Sequence, residues 1–555
     1  MQFRRTRTLL EWIVGIAIAA VVIGIIASYV VDHRWPHARA QWLFRAGRSN
    51  EAVDAQWRGL QRGPVTTERV VELIESSSRL RTVTAASLAD DDDDRPAPPR
   101  QHAKPAAESP KPPTFTDADL RALLMSPSTP ADARLLGLFW LDEELTGPID
   151  APIDEATERA RADERAADET PPMPMANHLL ARQSWSSGHL DEALERYRRE
   201  VVFFGDAHRD ASEPCVQMSQ REDWAGAERW IRSPEIGRFV DGDCVLEVMV
   251  HQRQWGMAAR GAVRAVWQRP DVPPLLMTIT CGLAWLVFCA QLGQVRRLPK
   301  LRIPLYLSAI ALGVLSIAPT LLLIEMQTQI LHLKASRTGE PIHDLIFFTL
   351  GVGFREELSK LLLFIPLWPF IRRWGTRQDV FVTGALVGLG FAVEENLGYF
   401  SHATFADGVA RFLTANFLHM SMTALTASAF DDFARDPGGK AYDASVTIFT
   451  VMGLHGIYDF FAVNHTYGNL GYFSMIVFVV LAKKFLDLTT TTVPRLGERG
   501  RLLTIFSIGT AMTTAVTFVI ASALIGPFFA LIASIEGWVG VAIISFMFVR
   551  GLEDR

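Results

Sequence analysis

Cysteine is scarce, with four residues in a chain of 555, and no two of them have the spacing of a zinc site. Cys281 and Cys289 stand in an apolar run. Cys215 and Cys244 stand in a polar part of the chain, where they either stay as thiols or, in an oxidising compartment, pair as a disulfide. A dominant charge is missing too. The 55 Lys and Arg against 61 Asp and Glu leave a net charge of −6, which gives no basis for nucleic-acid binding. No H-E-x-x-H occurs, so the usual zinc-protease signature is absent. Long apolar runs are lacking between residues 32 and 273, which read as a water-soluble polypeptide. They are abundant from 274 to 550.

The chain opens on "MQFRRTRTLLEWIVGIAIAAVVIGIIASYVV", three arginines followed by about twenty apolar residues. That run is longer than a signal-peptide core and no small-x-small cleavage site follows, so residues 1–31 are expected to stay as a membrane anchor. Apolar runs of spanning length predict ten transmembrane helices near 10–31, 274–293, 303–325, 344–371, 379–400, 411–430, 444–465, 470–487, 503–525 and 528–549. Loop charges orient them. "RRTR", "RRLPKLR", "RRWGTR", "KK" and "RLGERGR" fall on one side, while the short loops opposite hold only Lys334, Arg337 and, at a helix edge, Arg411. The positive-inside rule then puts both termini in the cytoplasm and residues 32–273 outside it.

The fold class expected is all-α: a polytopic membrane domain over 274–550 with a helical extracytoplasmic region. Residues 32–85 read as a helical segment. Residues 86–115, with Asp90–Asp94 and a Pro-rich stretch, read as a disordered linker. Residues 116–273 read as a helical domain. In "LARQSWSSGHLDEALERYRRE", Gly188, Ala193 and Tyr197 have the offsets of a tetratricopeptide-like helix pair, and Gly47 and Ala52 repeat the spacing with Trp57 one position late. Such a surface would bind a protein partner; a generic helical domain is the plainer reading.

Four polar clusters interrupt the apolar runs: Glu356-Glu357 with Lys360, then Glu394-Glu395-Asn396, then His419, then His455 with Asp459 one turn later. Each has a bland account. A lone intramembrane histidine commonly bonds a neighbouring helix, and acids near helix ends such as Glu325 and Asp431-Asp432 face water. Counting at 1.5 Å per residue, however, puts Glu356 and Glu357 roughly 18–20 Å deep, His455 about 15, His419 about 12, Asp459 about 9 and Glu395 about 8 Å. A shared level in the outer half of the bilayer points to one site around a water-filled cavity. A buried carboxylate beside imidazoles can act as a base, deprotonating a water that attacks a peptide carbonyl, with a histidine or asparagine stabilising the oxyanion. The same inventory could hold Zn²⁺ through His419, His455 and one Glu.

"REELSK", "GFAVEENLGY", "FLH" and "LHGIYDF" resemble the motifs of the PrsW intramembrane proteases, distant relatives of the CAAX-processing and bacteriocin-immunity proteins, over about residues 344–465. The resemblance implies a polytopic, glutamate-dependent endopeptidase that cuts a single-pass membrane protein, such as an anti-sigma factor, on the extracytoplasmic side. It implies that Glu356, Glu357, Glu395, His419 and His455 are catalytic, with Lys360, Asn396 and Asp459 in support. Asp459 stands where related families commonly have Asn, and Glu394 is an extra acid. Water activation by Glu and His needs no cofactor, and activity is expected to survive chelation. Two other readings use the same residues: a proton-coupled transporter with a Glu/His relay, and a non-catalytic signalling scaffold.

Overall fold

The structure, a computed structural model, describes residues 2–45, 48–77, 115–144, 162–205, 210–267, 272–334, 340–402, 411–463, 472–492 and 496–532, with 534, 542, 545, 546 and 550 beyond them. Every regular element among the described residues is helical. Among the described residues, six helical stretches are long and apolar enough to cross a membrane: Thr8–Arg34, Val272–Leu292, Pro299–Gln329, Arg377–Phe400, Pro437–Ala462 and Gly500–Ile525. Three more of the expected spans are helical but too polar to join them. They correspond to the helical series 341–374, to Ala415–Arg435 and to Tyr472–Thr492. The expected span at 528–549 and the linker at 86–115 lie largely outside the described residues.

The chain clusters into two compact units. One consists of Ile26–Val240 with Ala523–Ile525. Its core joins Val53, Trp57, Leu60, Leu136 and Leu179, with Trp57 stacked on Phe115 at 4.8 Å between ring centroids. A helical hairpin is built from α1 (Ala176–Ser186) and α2 (Leu190–Phe204). Gly188 turns between them with φ +82°, a conformation that costs other residues about 1–2 kcal/mol, while Ala193 and Tyr197 are fully buried where the helices meet. Residues 213–220 and 224–231 form a second hairpin, in which Glu222 takes the left-handed turn position.

Glu200 of α2 is fully buried and accepts a 2.8 Å hydrogen bond from the Met175 amide, at a residue held at φ +73° just before α1. Burial pushes its carboxyl up to about 7; the Met175 bond pulls down, the Asp210 charge pushes up and His178 pulls down. The folded value lies above the unfolded one, so this group's contribution to stability is complete below its ordinary range and is lost as pH rises through about 7. Hydrogen exchange in α2, corrected for intrinsic rates, should show more protection at about pH 5 than at about pH 8. Glu200→Gln should flatten that difference; an unchanged difference would assign it to other groups.

The second unit comprises Met1–Ile25, Asp241–Ser522 and Gly526–Arg555. Here α3 (Gly242–His251) and α4 (Trp255–Val266) pair as a hairpin and pack on α5 (Ile317–Gln329). They therefore cluster with the apolar helices, and the division between the two units falls at Val240–Asp241. Four helices carry the polar clusters: α6 (Phe354–Phe364), α7 (Arg377–His402), α8 (Ala415–Arg435) and α9 (Pro437–Val463).

Two glycines set how closely these helices approach. A Cβ on Gly388 of α7 would fall 2.2 Å from the His419 carbonyl oxygen of α8, and one on Gly456 of α9 would fall 2.3 Å from the Phe348 carbonyl. Phe348 belongs to a π-helical segment, Phe347–Gly353, that leads directly into α6. Small residues thus seat α9 on the segment that delivers Glu356 and Glu357. Gly456→Ala should lower the thermal stability of the purified protein, on the order of 1–3 kcal/mol for an overpacked contact. Gly453→Ala, on the same helix with nothing within 4 Å of its Cβ, should not. Equal melting temperatures for both variants would show that the contact yields freely.

Candidate functional site

Two acids and a lysine occupy one short helix. On α6, residues three and four apart share a face, so Lys360 reaches both preceding glutamates. Its Nζ lies 2.7 Å from Glu357 Oε1 and 3.6 Å from Glu356 Oε2. Lys360 and Glu357 are wholly buried, and Glu356 is 8% exposed. The Lys360 ammonium also sits 3.9 Å from the centre of the Phe391 ring, on α7.

His455 of α9 joins the two acids. Its Nδ1 is 2.9 Å from Glu357 Oε1, and its Nε2 is 3.5 Å from Glu356 Oε2 and 3.4 Å from Asp459 Oδ2. A carboxylate only accepts, so Nδ1 donates to Glu357, which leaves Nε2 facing the other two acids. His419 of α8 has both nitrogens engaged. Lys360 Nζ is 2.8 Å from Nδ1, and an ammonium only donates, so Nδ1 accepts. Nε2–H then donates to Glu395 Oε2 at 2.9 Å. The two imidazole centroids are 5.2 Å apart.

The structure therefore brings Glu356, Glu357, Lys360, Glu395, His419, His455 and Asp459 into one network drawn from four helices. Asn396 sits at its edge: its Nδ2 donates to Asn416 Oδ1 at 2.6 Å and its Oδ1 accepts from Arg411 Nε at 2.6 Å. Glu394 is half-buried, with an Oε2 that has no hydrogen-bond partner.

Three members escaped the sequence reading. Arg411, noted only as a helix-edge charge, binds Glu395 Oε2 at 3.0 Å and lies 3.6 Å from the centre of the Tyr399 ring. An arginine in an otherwise charge-poor loop was the available signal. Asn416, an ordinary polar residue in an apolar run, gave none. Arg355 was hidden beside the acids; it is buried, and its Nη1 donates to Gln327 Oε1 of α5 at 3.0 Å.

Ligand atoms of Glu356, His419 and His455 lie within 4.8 Å of one another, a group from which a metal site could be drawn. Glu356 Oε2, buried without a hydrogen bond, is the atom an ion would satisfy. Two features of the arrangement oppose it. His419 offers no free nitrogen, because Lys360 and Glu395 hold both. The Lys360 ammonium is also already within 3.6 Å of Glu356 Oε2 and 2.8 Å of His419. A doubly charged ion about 4 Å from an ammonium meets a repulsion of roughly 8 kcal/mol at an effective dielectric near 20. As arranged, these residues do not fit a resident divalent ion.

A family model described as PrsW family intramembrane metalloprotease matches residues 302–483, a stretch that contains every residue of the network. No curated protein and no solved structure matches the chain.

Proposed function

From the resemblance of residues 302–483 to the PrsW family intramembrane metalloproteases, we propose that this protein is an intramembrane endopeptidase that cuts a single-pass, membrane-anchored regulatory protein near the extracytoplasmic side of the bilayer. The observation that carries the reading is the buried network of two paired acids, a third acid and two histidines, set among helices otherwise fit for lipid. Intramembrane ionisable groups of this density are costly, which favours a role in chemistry over one in packing.

In this reading the chain crosses a bacterial-type inner membrane ten times, with residues 32–273 outside the cytoplasm offering a helical, repeat-like surface to a partner or substrate. Glu356, whose Oε2 accepts no hydrogen bond, takes a proton from water as the oxygen attacks the peptide carbonyl. His455, with Nε2 3.5 Å from Glu356 Oε2 and Nδ1 anchored by Glu357, relays the proton to the leaving amine. The transporter alternative would use the same relay without bond cleavage.

The test is hydrolysis of a single-pass substrate reconstituted in liposomes with the purified protein. Cleavage in the outer part of the substrate helix is expected, and a strong chelator should leave the rate within about twofold, since the Glu/His mechanism needs no ion. Proton flux without any cleavage would favour the transporter. Activity lost on chelation and restored by zinc would leave the protease intact and replace the metal-free mechanism.

A further inference from the structure

We infer that Lys360 is the resident cation of this site, standing where a divalent ion would otherwise be held among Glu356, His419 and His455. An ammonium supplies three directed N–H donors from one point charge. Here two of them meet Glu357 Oε1 at 2.7 Å and His419 Nδ1 at 2.8 Å, Glu356 Oε2 stands at ion-pair distance, 3.6 Å, and the face of Phe391 closes the remaining side at 3.9 Å. No part of the side chain is exposed. Metal ions and ammonium groups do the same two things in such a place. They compensate buried carboxylates and fix which imidazole nitrogen carries the lone pair.

Around the ammonium the pairing is nearly complete. Lys360 answers Glu357, and Arg411 answers Glu395. Arg355, buried beside the pair, lies within the electrostatic reach of Glu356 and Asp459. Glu394 adds one further acid at the rim. A divalent ion placed in this arrangement must take His419 away from Lys360, so ion and ammonium compete for one lone pair.

Lys360 is thus a positioning residue. It holds the His419 ring with Nε2–H directed at Glu395 and pairs with Glu357, which in turn anchors His455. This role belongs to the proteolytic reading, whereas zinc uptake can be measured whether or not the protein cuts.

The experiment loads full-length protein in detergent with zinc, removes free metal by gel filtration and counts zinc per chain by mass spectrometry. The wild type is expected to retain no stoichiometric zinc. Lys360→Met, which frees the His419 lone pair and leaves the carboxylates uncompensated, should bind one zinc per chain. Adding His419→Gln to that variant should abolish the binding, and Lys360→Arg, which keeps the charge, should stay zinc-free. A wild type that holds one zinc per chain, or a folded Lys360→Met protein that holds none, overturns the inference. Should Lys360→Met fail to accumulate, ¹⁵N-histidine spectra of the wild type decide. Spectra unchanged by zinc support the lysine, and zinc-dependent shifts of the His419 and His455 signals exclude it.

Discussion

Glu356→Gln and Glu357→Gln should each abolish proteolysis, but they should differ in what they do to the protein. Glu356 is 8% exposed and its Oε2 accepts no hydrogen bond, so the amide removes a base without stranding a buried partner. Loss of a general base typically costs about 10²- to 10⁴-fold in rate, and stability should be nearly unchanged. Glu357 is fully buried and takes both the Lys360 ammonium at 2.7 Å and the His455 N–H at 2.9 Å. Its amide leaves a buried lysine without its counter-charge, and breaking a buried pair from one side costs about 3–5 kcal/mol. Glu357→Gln should therefore lose activity and melt earlier, although both variants insert and accumulate. Full cleavage by both, at equal enzyme in the membrane, would make the pair structural. Equal melting temperatures would contradict the division of roles.

His455→Gln should produce a comparable loss, again on the order of 10²-fold or more, with KM little changed. Its ring approaches both acids, with one nitrogen for each. A glutamine amide can still donate to Glu357 but cannot carry a proton from Glu356 to a leaving group. If the ring served only to tie α9 to α6, the glutamine would restore most of the rate. A steady-state comparison with Asp459→Asn separates the contacts further. Asp459 shares Nε2 with Glu356 at 3.4 Å, longer than a charge-assisted hydrogen bond, so its amide should cost roughly tenfold or less.

Much of this site was legible because lipid makes polar residues conspicuous. Glu356, Glu357, Glu395, His419 and His455 interrupt runs that are otherwise apolar, and counting residues from helix ends puts them mainly in the outer half of the bilayer. The contacts follow: Glu357 meets His455 across 98 positions and Glu395 meets His419 across 24. The same density of polar residues explains why two of the helices that carry the site, α6 and α8, fall short as spans while α7 and α9 do not. α8 holds His419 together with Asn416 and a series of serines and threonines, and α6 holds Arg355, both acids and the lysine within eleven residues.

What stayed hidden depended on distant partners. Arg411 looks like a loop charge until α7 is beside it, and Arg355 needs Gln327, 28 positions earlier, to account for its burial. The π-helical turn at Phe347–Gly353 has no periodicity of its own, and its nearest trace in the sequence is the pair Gly351 and Gly353. The assignment of the His419 lone pair likewise needs Lys360 at 2.8 Å, a contact between residues 59 positions apart.

The central claim is that the Glu356 network cuts another membrane protein, and one comparison tests it most directly. Membranes of cells carrying either the wild type or Glu356→Gln at equal levels are surveyed by quantitative mass spectrometry for single-pass proteins. The account predicts that at least one such protein accumulates uncut with Glu356→Gln and, with the wild type, yields a fragment ending in the outer half of its membrane helix. Identical fragments and abundances in the two membranes would contradict it.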